Sequence, residues 1–234
     1  MKSTEFNTRI TERRRVRSVR LLVVILLLAS TSACASRAGE TKQPTSGAAR
    51  LQGLIRKPVS NDPRIKKVVD SAIEQTQLTF EYDPAYAKLD YPGGDVPIVR
   101  GVCADVIVRA FRSAGVDLQK DVHEDMNRNF ARYPDNWGAR RPDSNIDHRR
   151  VPNLMTFFKR SDRSLPISKQ SSDYLPGDIV AWELDNRLLH IGLVTDAVAE
   201  KTQNYQIVHN IGAGARLEDV IFNWKIIGHY RMWK

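Results

Sequence analysis

The chain of 234 residues contains two cysteines, Cys34 and Cys103, and five histidines. Cys103 comes directly before an amphipathic segment, residues 104–114, so we expect it in or just before the first turn of a helix. Unpaired backbone N–H groups and the positive end of the helix dipole at such a position favour a thiolate and can hold an oxyanion. This position predicts a nucleophile with a lowered pKa, against the alternative of a small apolar core residue.

A nucleophilic cysteine needs a base, and His190 and His209 lie in consecutive β-rich segments. In an antiparallel hairpin the numbers of paired residues have a constant sum. An odd sum near 401 places His209 opposite Gly192, on the same face as His190. An even sum turns His209 away and leaves Asn210 as the candidate third residue. We therefore expect Cys103 as nucleophile and His190 as base, with His209 orienting the base.

A zinc site is a second chemistry open to five histidines. No pair of them has the tight helical spacing of a metalloprotease motif, so we expect neither a metal nor another cofactor. A zinc site would require any three of the five histidines to lie close together. The five are His123, His148, His190, His209 and His229.

The elements that must position these residues follow from the apolar patterns. Residues 62–76 carry a capping Asp, a Pro at the first helical position and apolar residues at helical spacing, and further helices are expected at 121–130 and 151–160. From Leu175 onward, short β-rich runs replace the helical pattern, namely DIVAWEL, LLHIGLVTD, YQIVHNIG and IIGHYRMW. Helices followed by an antiparallel sheet predict an α+β domain.

A long, charged and aromatic segment, residues 132–153, separates the last two predicted helices. Loops of this length inside a domain are usually functional or disordered. Because Tyr133, Trp137 and Ile146 provide apolar anchors, we expect an ordered loop on the substrate side.

Two adjacent arginines, Arg149 and Arg150, stand in this segment beside Asp147 and His148. Guanidinium groups bind carboxylates with two parallel hydrogen bonds. We expect this pair to bind the carboxylates of a peptide substrate, with a solvated charge cluster as the equal alternative.

The first 60 residues precede the predicted domain. Residues 1–20 hold seven Lys or Arg and two Glu and are followed by the run LLVVILLLA, and this pattern predicts a secretory signal over residues 1–33. The run is too short for a spanning helix, which needs roughly 20 residues. Thr31-Ser-Ala-Cys34 resembles a lipoprotein signal, which makes Cys34 a candidate lipid-bearing N-terminus, although ordinary signal cleavage fits as well. Residues 34–60 predict a flexible linker, and residues 61–234 the domain.

Charge and cysteine usage agree with export to the periplasm, either free or anchored to the membrane through a lipid. Of the formal charge of +9, residues 1–33 supply +5, and the remaining +4 gives no case for a nucleic-acid partner. Exported proteins normally pair their thiols, yet Cys103 has only Cys34 as a partner. A free thiol in an oxidising compartment indicates a function for Cys103.

Several short motifs stand in the order found in the NlpC-type cell-wall peptidases. They are Tyr91-Pro-Gly-Gly, Gly101-Val-Cys-Ala-Asp105, Leu175-Pro-Gly-Asp-Ile-Val-Ala-Trp182, His190-Ile-Gly-Leu-Val194 and Val208-His-Asn210. The series resembles that superfamily. The segment Asn145–Leu154 and the ending Gly228-His-Tyr230 further resemble an uncharacterised envelope family of the same superfamily, catalogued as a domain of unknown function.

The resemblance implies a papain-like fold with the Cys103, His190 and His209 roles given above. It also implies amide hydrolysis in peptidoglycan peptides through a thioester, with Tyr91 in the active-site wall beside the Cys103 N–H. Val102 and Ala104 stand where the superfamily usually has Asp and Ser, and the insertion between residues 123 and 153 indicates a different specificity. The candidates for substrate binding or oxyanion support are Tyr91, Asp105, Asn145, Asp147, His148, Arg149, Arg150 and Asn210.

Two other functions stay open. A thioesterase or acyltransferase acting on lipid-linked acyl groups would keep the nucleophile, but Trp137, Phe157 and Phe158 are too few to argue for an acyl channel. A non-catalytic wall-binding module would carry a thiol that reacts no faster than a free cysteine.

Overall fold

The computed structural model describes residues 54–57 and 60–233. The predicted signal sequence, the predicted lipidation site Cys34 and most of the predicted linker lie outside these residues. Within them, no helix is both long enough and apolar enough to cross a membrane.

Four α-helices precede the main sheet, and three of them match the sequence prediction closely. They are α1 (Pro63–Gln75), α2 (Cys103–Arg112), α3 (Leu118–Asn129) and α4 (Val151–Arg160). Helix α3 begins three residues before the predicted start because Asp117 acts as its N-cap, accepting a hydrogen bond from the backbone N–H of Gln119.

A parallel pair, β1 (Glu81–Tyr82) with β2 (Arg100–Gly101), lies between α1 and α2. The strands of the main sheet are β3 (Ile179–Glu183), β4 (Leu189–Val198), β5 (Tyr205–Asn210), β6 (Ala215–Glu218) and β7 (Lys225–Tyr230). These five strands are antiparallel and stand in the order β6-β5-β4-β3-β7. The α+β prediction is confirmed, while β6 was not predicted.

Side chains alternate across the sheet, and the two faces are buried in different ways. On one face, Ile191 and Leu193 pack with residues of the helices in the main core. On the other face, Trp182 and Ile207 form a smaller core that is closed by residues 220–224. The helices therefore cover one face, and irregular chain covers the other.

Residues 54–57 run along the far end of β4. Arg56 pairs with Ala197 as an isolated bridge, and the N–H of Val198 donates to the carbonyl of Ile55 at 2.8 Å. Strand β4 is ten residues long and extends past β3, so its last residues offer free backbone groups on that side. The folded part of the chain thus includes a piece of the segment predicted to be linker.

Candidate functional site

Cys103 is the first residue of α2 and is 4% exposed. Its sulfur faces the backbone N–H groups of Ile191 on β4 and of Ala104 and Cys103 itself. The predicted place of the cysteine at a helix start is confirmed, and the sulfur also touches the strand that carries His190.

Asp105 fixes the backbone around the cysteine. Its carboxylate accepts the N–H of Val102, the N-cap of α2, at 2.7 Å. A side chain on Gly101 would meet the Asp105 carboxylate at 2.9 Å, so only glycine leaves room for this cap. Asn210 holds the same turn from β5, because its Nδ2 donates to the carbonyl of Gly101 at 2.9 Å. Asp105 and Asn210 therefore position the cysteine and are not free for a substrate.

Arg149 belongs to the same buried framework. Its Nε and Nη2 atoms donate to the two oxygens of Asp105, both at 2.9 Å, and the guanidinium also donates to the carbonyls of Asp83 and Ala85. The side chain is only 2% exposed. The expectation that Arg149 binds substrate carboxylates is wrong, because Asp105 already occupies its bidentate face.

The environment of the thiol differs from the sequence expectation. Burial raises the pKa of Cys103 to about 12, and the nearby Asp105 carboxylate adds to this effect. The N–H groups of Ile191, Ala104 and Cys103 lower the pKa, but burial outweighs them. In this state of the protein the thiol is neutral.

His190 and His209 meet as the hairpin arithmetic predicts. Strands β4 and β5 pair Leu193 with Val208, a sum of 401, and Nε2 of His190 lies 3.0 Å from Nδ1 of His209. Gly192 leaves room at this point, since a Cβ there would lie 2.6 Å from Cγ2 of Ile207 and 3.2 Å from Cβ of His209. The register prediction is confirmed.

The pair continues to a carboxylate that the sequence analysis missed. Nε2 of His209 lies 3.0 Å from Oε2 of Glu218 on β6. An ionised carboxylate only accepts hydrogen bonds, so His209 donates from Nε2. A neutral His209 then accepts at Nδ1 from Nε2–H of His190, which leaves Nδ1 of His190 without a proton.

Two tryptophans enclose these imidazoles. Trp182 stacks on His190 with ring centroids 5.8 Å apart, and the ring of Trp224 stands edgewise to both histidines. Burial lowers the pKa of His190 to about 3, helped by His209. Burial also lowers the pKa of His209, with Glu218 opposing the change. Both rings are neutral at physiological pH, as the hydrogen-bond chain requires.

Cys103 lies near the histidine pair but forms no hydrogen bond with it. Among the described residues, no hydrogen bond links the Cys103 sulfur to either histidine, and Nδ1 of His190 makes none. Cys103 belongs to the main core with Ile191, whereas the His190 ring stacks on Trp182. The two residues are linked through β4, because the backbone N–H that faces the sulfur belongs to Ile191, the residue after His190.

A tyrosine that the sequence analysis did not single out, Tyr82, lies near the start of α2. It pairs with Gly101 in the β1–β2 ladder, and burial, together with the charges of Cys103 and Asp105, raises its pKa to about 12. Tyr91 stands edgewise against His123 of α3, with centroids 5.1 Å apart, and burial and nearby acidic residues raise its pKa. Tyr82 is therefore a second candidate, beside Tyr91, for the hydroxyl that assists the thiol.

The segment 132–153 is ordered by contacts of its own. Asn145 accepts from the N–H of Leu89 at 2.8 Å and donates to the hydroxyl of Tyr86 at 2.9 Å. Arg150 lies over the ring of Trp137, 4.2 Å from its centroid, and 3.4 Å from Asp147. Asn145 therefore ties the segment to the chain before β2, whereas Arg150 holds other residues of the segment together.

His148 and Asp147 are buried within this segment. Burial lowers the pKa of His148 to about 4 and raises that of Asp147. Nδ1 of His148 has no hydrogen-bond partner among the described residues. Both residues act as parts of a core and do not line an open site.

The five histidines do not converge on one point. His229 lies between Asp178, at 2.9 Å from its Nε2, and the carbonyl of Pro166, at 3.1 Å from its Nδ1, where it joins β7 to the chain before β3. Within residues 54–57 and 60–233, no group of three His, Cys, Asp or Glu side chains is arranged to hold a metal ion. The structure therefore does not bring three histidines together for a zinc site.

A signal for Glu218 was present in the sequence. Gly212 and Gly214 both adopt positive φ, which marks a turn, and ARLE follows with alternating character. The register Ile207 with Glu218 then brings the carboxylate to the face of His209. Tyr82, in contrast, is brought near the start of α2 by a parallel pair of two-residue strands that no sequence pattern predicts.

Residues 69–232 match the family described as "Domain of unknown function (DUF1287)". Over 164 residues the chain is 60% identical to "Uncharacterized protein YijF" of Escherichia coli (strain K12), a stretch that covers 70% of this chain and 80% of that protein. The matched range contains Cys103, His190, His209 and Glu218, so the candidate site lies within the family domain.

Proposed function

This chain belongs to the family described as "Domain of unknown function (DUF1287)", and from that premise we propose that it is a cell-envelope cysteine hydrolase cleaving amide bonds in peptidoglycan peptides. One observation carries the proposal. The hydrogen-bonded chain from Glu218 through His209 to His190 ends one residue from the backbone N–H that faces the Cys103 sulfur.

The proposed fold is papain-like. A helix that begins with the nucleophile packs on an antiparallel sheet, and the base and its orienting residue lie on adjacent strands of that sheet. This arrangement and the motif order that resembles the NlpC-type peptidases both support the assignment. Nucleophile, base and orienting group together form a triad.

In the proposed reaction, the Cys103 sulfur attacks the amide carbonyl carbon while its proton passes to Nδ1 of His190. The backbone N–H of Cys103 and the Tyr82 hydroxyl, which its raised pKa of about 12 keeps protonated, donate to the oxyanion. The C–N bond then breaks, and the amine leaves with the proton from His190. Water, with His190 as base, hydrolyses the thioester and restores the thiol.

The neutral states of thiol and imidazole shape this mechanism. A cysteine with a pKa of about 12 beside a histidine with a pKa of about 3 does not form a stable ion pair before substrate arrives. Proton transfer therefore accompanies attack, and closer approach of His190 Nδ1 to the sulfur accompanies substrate binding.

The substrate class rests on the predicted location. The predicted signal sequence supports export to the envelope, where peptidoglycan is the abundant peptide polymer.

Digestion of purified muropeptides followed by mass spectrometry tests the proposal. Wild-type protein is expected to release a new amine, and Cys103→Ala is expected to abolish this product. His190→Ala should lower the rate by about 10²–10⁴-fold, the range for general acid–base catalysis. His123→Gln, which changes a histidine outside the pair, serves as the matched control and should cleave normally. Cleavage by Cys103→Ala at the wild-type rate would refute the nucleophile.

The mass of a trapped adduct separates the acyl alternatives. After brief incubation with substrate and acid quench, a peptidyl mass on Cys103 is expected. A fatty acyl mass on the same residue would instead establish the thioesterase or acyltransferase.

A further inference from the structure

A pocket of about 460 Å³ lies beside β6, outside the site of the proposed reaction, and we call it the β6 pocket. Its volume falls in the range of small-ligand pockets, roughly 300–1,000 Å³. Its walls include Phe80, Gln206, Arg216, Leu217 and Glu218. Apolar, amide and charged groups thus meet in one cavity.

The open edge of the sheet forms one side of the β6 pocket. Strand β6 is the last in the sheet order, and the N–H of Ala215 donates outward to the carbonyl of Thr79 at 2.9 Å. Backbone groups of alternate residues in a strand point the same way, so the N–H and C=O of Leu217 also face outward. An edge of this kind accepts an extended peptide as an added strand.

The charges at this edge fit a molecule with both signs. Arg216 is exposed and makes no salt bridge within the described part of the chain. The Glu218 side chain is 39% exposed, and only its Oε2 contacts His209. The edge of β6 therefore presents an exposed guanidinium for a carboxylate and a carboxylate oxygen for an ammonium, two residues apart on one face of the strand, with the backbone donor and acceptor of Leu217 between them.

We propose that the β6 pocket binds a short zwitterionic peptide as an added strand along β6, and that Glu218 couples this binding to the histidine pair. The peptide carboxylate pairs with Arg216, its ammonium group with Glu218, and its central amide with Leu217. Binding itself does not depend on the proposed function, since none of these contacts involves Cys103.

The coupling has a simple electrostatic basis. Glu218 is both a wall of the β6 pocket and the hydrogen-bond acceptor of His209 at 3.0 Å. An ammonium group beside this carboxylate draws it away from the imidazole and weakens that hydrogen bond. Peptide binding is therefore expected to shift the NMR signals of the His209 side chain.

Titration of the protein with the tripeptide Ala-Ala-Ala tests the proposal, with acetyl-Ala-Ala-Ala-amide as the matched uncharged probe. Cys103→Ala protein is used beside wild type so that cleavage cannot confuse binding. We expect saturable binding of the free tripeptide and at least about tenfold weaker binding of the capped one, as for loss of charge-assisted hydrogen bonds. Arg216→Gln should weaken binding of the free tripeptide by a similar factor, yet leave binding of its C-terminal amide unchanged.

Equal binding of the free and capped probes, no binding at millimolar concentration, or shifts confined to residues remote from β6 would overturn the proposal. Shifts on β6 with an unchanged His209 signal would overturn the coupling. Retained binding alongside absent muropeptide cleavage would contradict the proposed function alone, so the two failures are distinguishable.

Discussion

Nε2 of His209 lies 3.0 Å from Oε2 of Glu218, and this contact sets the protonation of the whole histidine pair. Because the carboxylate accepts, His209 donates from Nε2 and accepts at Nδ1. His190 must then carry its proton on Nε2, 3.0 Å from that atom, and its Nδ1 is free to act as a base. The partly exposed carboxylate of Glu218 on β6 thus sets the tautomer of His190, which lies two strands away on β4.

Removal of the Glu218 carboxylate should leave His190 and His209 as mixtures of their two neutral tautomers. In Glu218→Leu, we expect nitrogen NMR to show mixed tautomers for both histidines, whereas wild type shows the Nε2–H form. Muropeptide cleavage should fall by more than about tenfold but by less than on removal of His190. Glu218→Gln keeps a carbonyl oxygen for His209 and should restore most of the rate. A single wild-type tautomer in Glu218→Leu would contradict the relay.

The Cys103 thiol should be slow to alkylate in the absence of substrate, so slow labelling does not separate an enzyme from a wall-binding module, and muropeptide cleavage decides between them. Because burial raises its pKa to about 12, iodoacetamide labelling near pH 8 is expected to be slower than for a free cysteine, and the rate should still rise above pH 9. His190→Ala should change the profile little, since His190 is neutral. Peptide-resolved mass spectrometry provides the rates, with urea-unfolded protein as control. A plateau with a midpoint below pH 8 would show a preformed ion pair.

Arg149→Met should strongly destabilise the domain. The change leaves the Asp105 carboxylate buried without its partner, which costs roughly 3–5 kcal/mol of the free energy of unfolding. Arg150 is the neighbouring residue and forms a partly exposed ion pair with Asp147. Arg150→Met should therefore lower the free energy of unfolding by less than about 1 kcal/mol. Urea denaturation measures both. Adding Asp105→Asn to Arg149→Met should recover part of the loss, and equal losses in the two arginine variants would disprove the buried role.

His148 should make the domain sensitive to acid. Its pKa is about 4 in the folded protein, against roughly 6.5 when unfolded, so its contribution is fully present above pH 6.5 and is lost as the pH falls toward 4. Each such proton costs about 1.4 kcal/mol per pH unit in that window. His148→Phe should reduce the slope of the free energy of unfolding against pH between pH 6.5 and 4.5. The reduction should equal the contribution of one bound proton. An unchanged slope in urea denaturation at several pH values would contradict this account.

Local patterns were sufficient for several parts of the site. The cysteine stands at a helix start because an apolar stripe follows it, and the two histidines meet because alternation and hairpin register depend on near neighbours in sequence. Glu218 was missed although its hairpin obeys the same arithmetic. Its strand is only four residues long, which makes its pattern weak.

Contacts between distant segments were not predictable in this way. Asp105 and Arg149 are 44 residues apart, and nothing in the spacing of charges indicates that they pair. The same holds for Tyr82, which the β1–β2 pairing brings beside Gly101, near the cysteine. Such pairs depend on how whole elements pack.

The sequence by itself determined which residues have the chemistry: one thiol at a helix start and two histidines on consecutive strands, whose shared face depended on a register that the sequence left open. Only the tertiary structure decided their protonation, their partners and their distance from one another. The physical reason is that helix starts and strand registers arise from neighbouring residues, whereas burial arises from the whole chain. Burial raised the pKa of Cys103, which was expected to be lowered. Packing of distant segments also made Asp105 the ion-pair partner of Arg149.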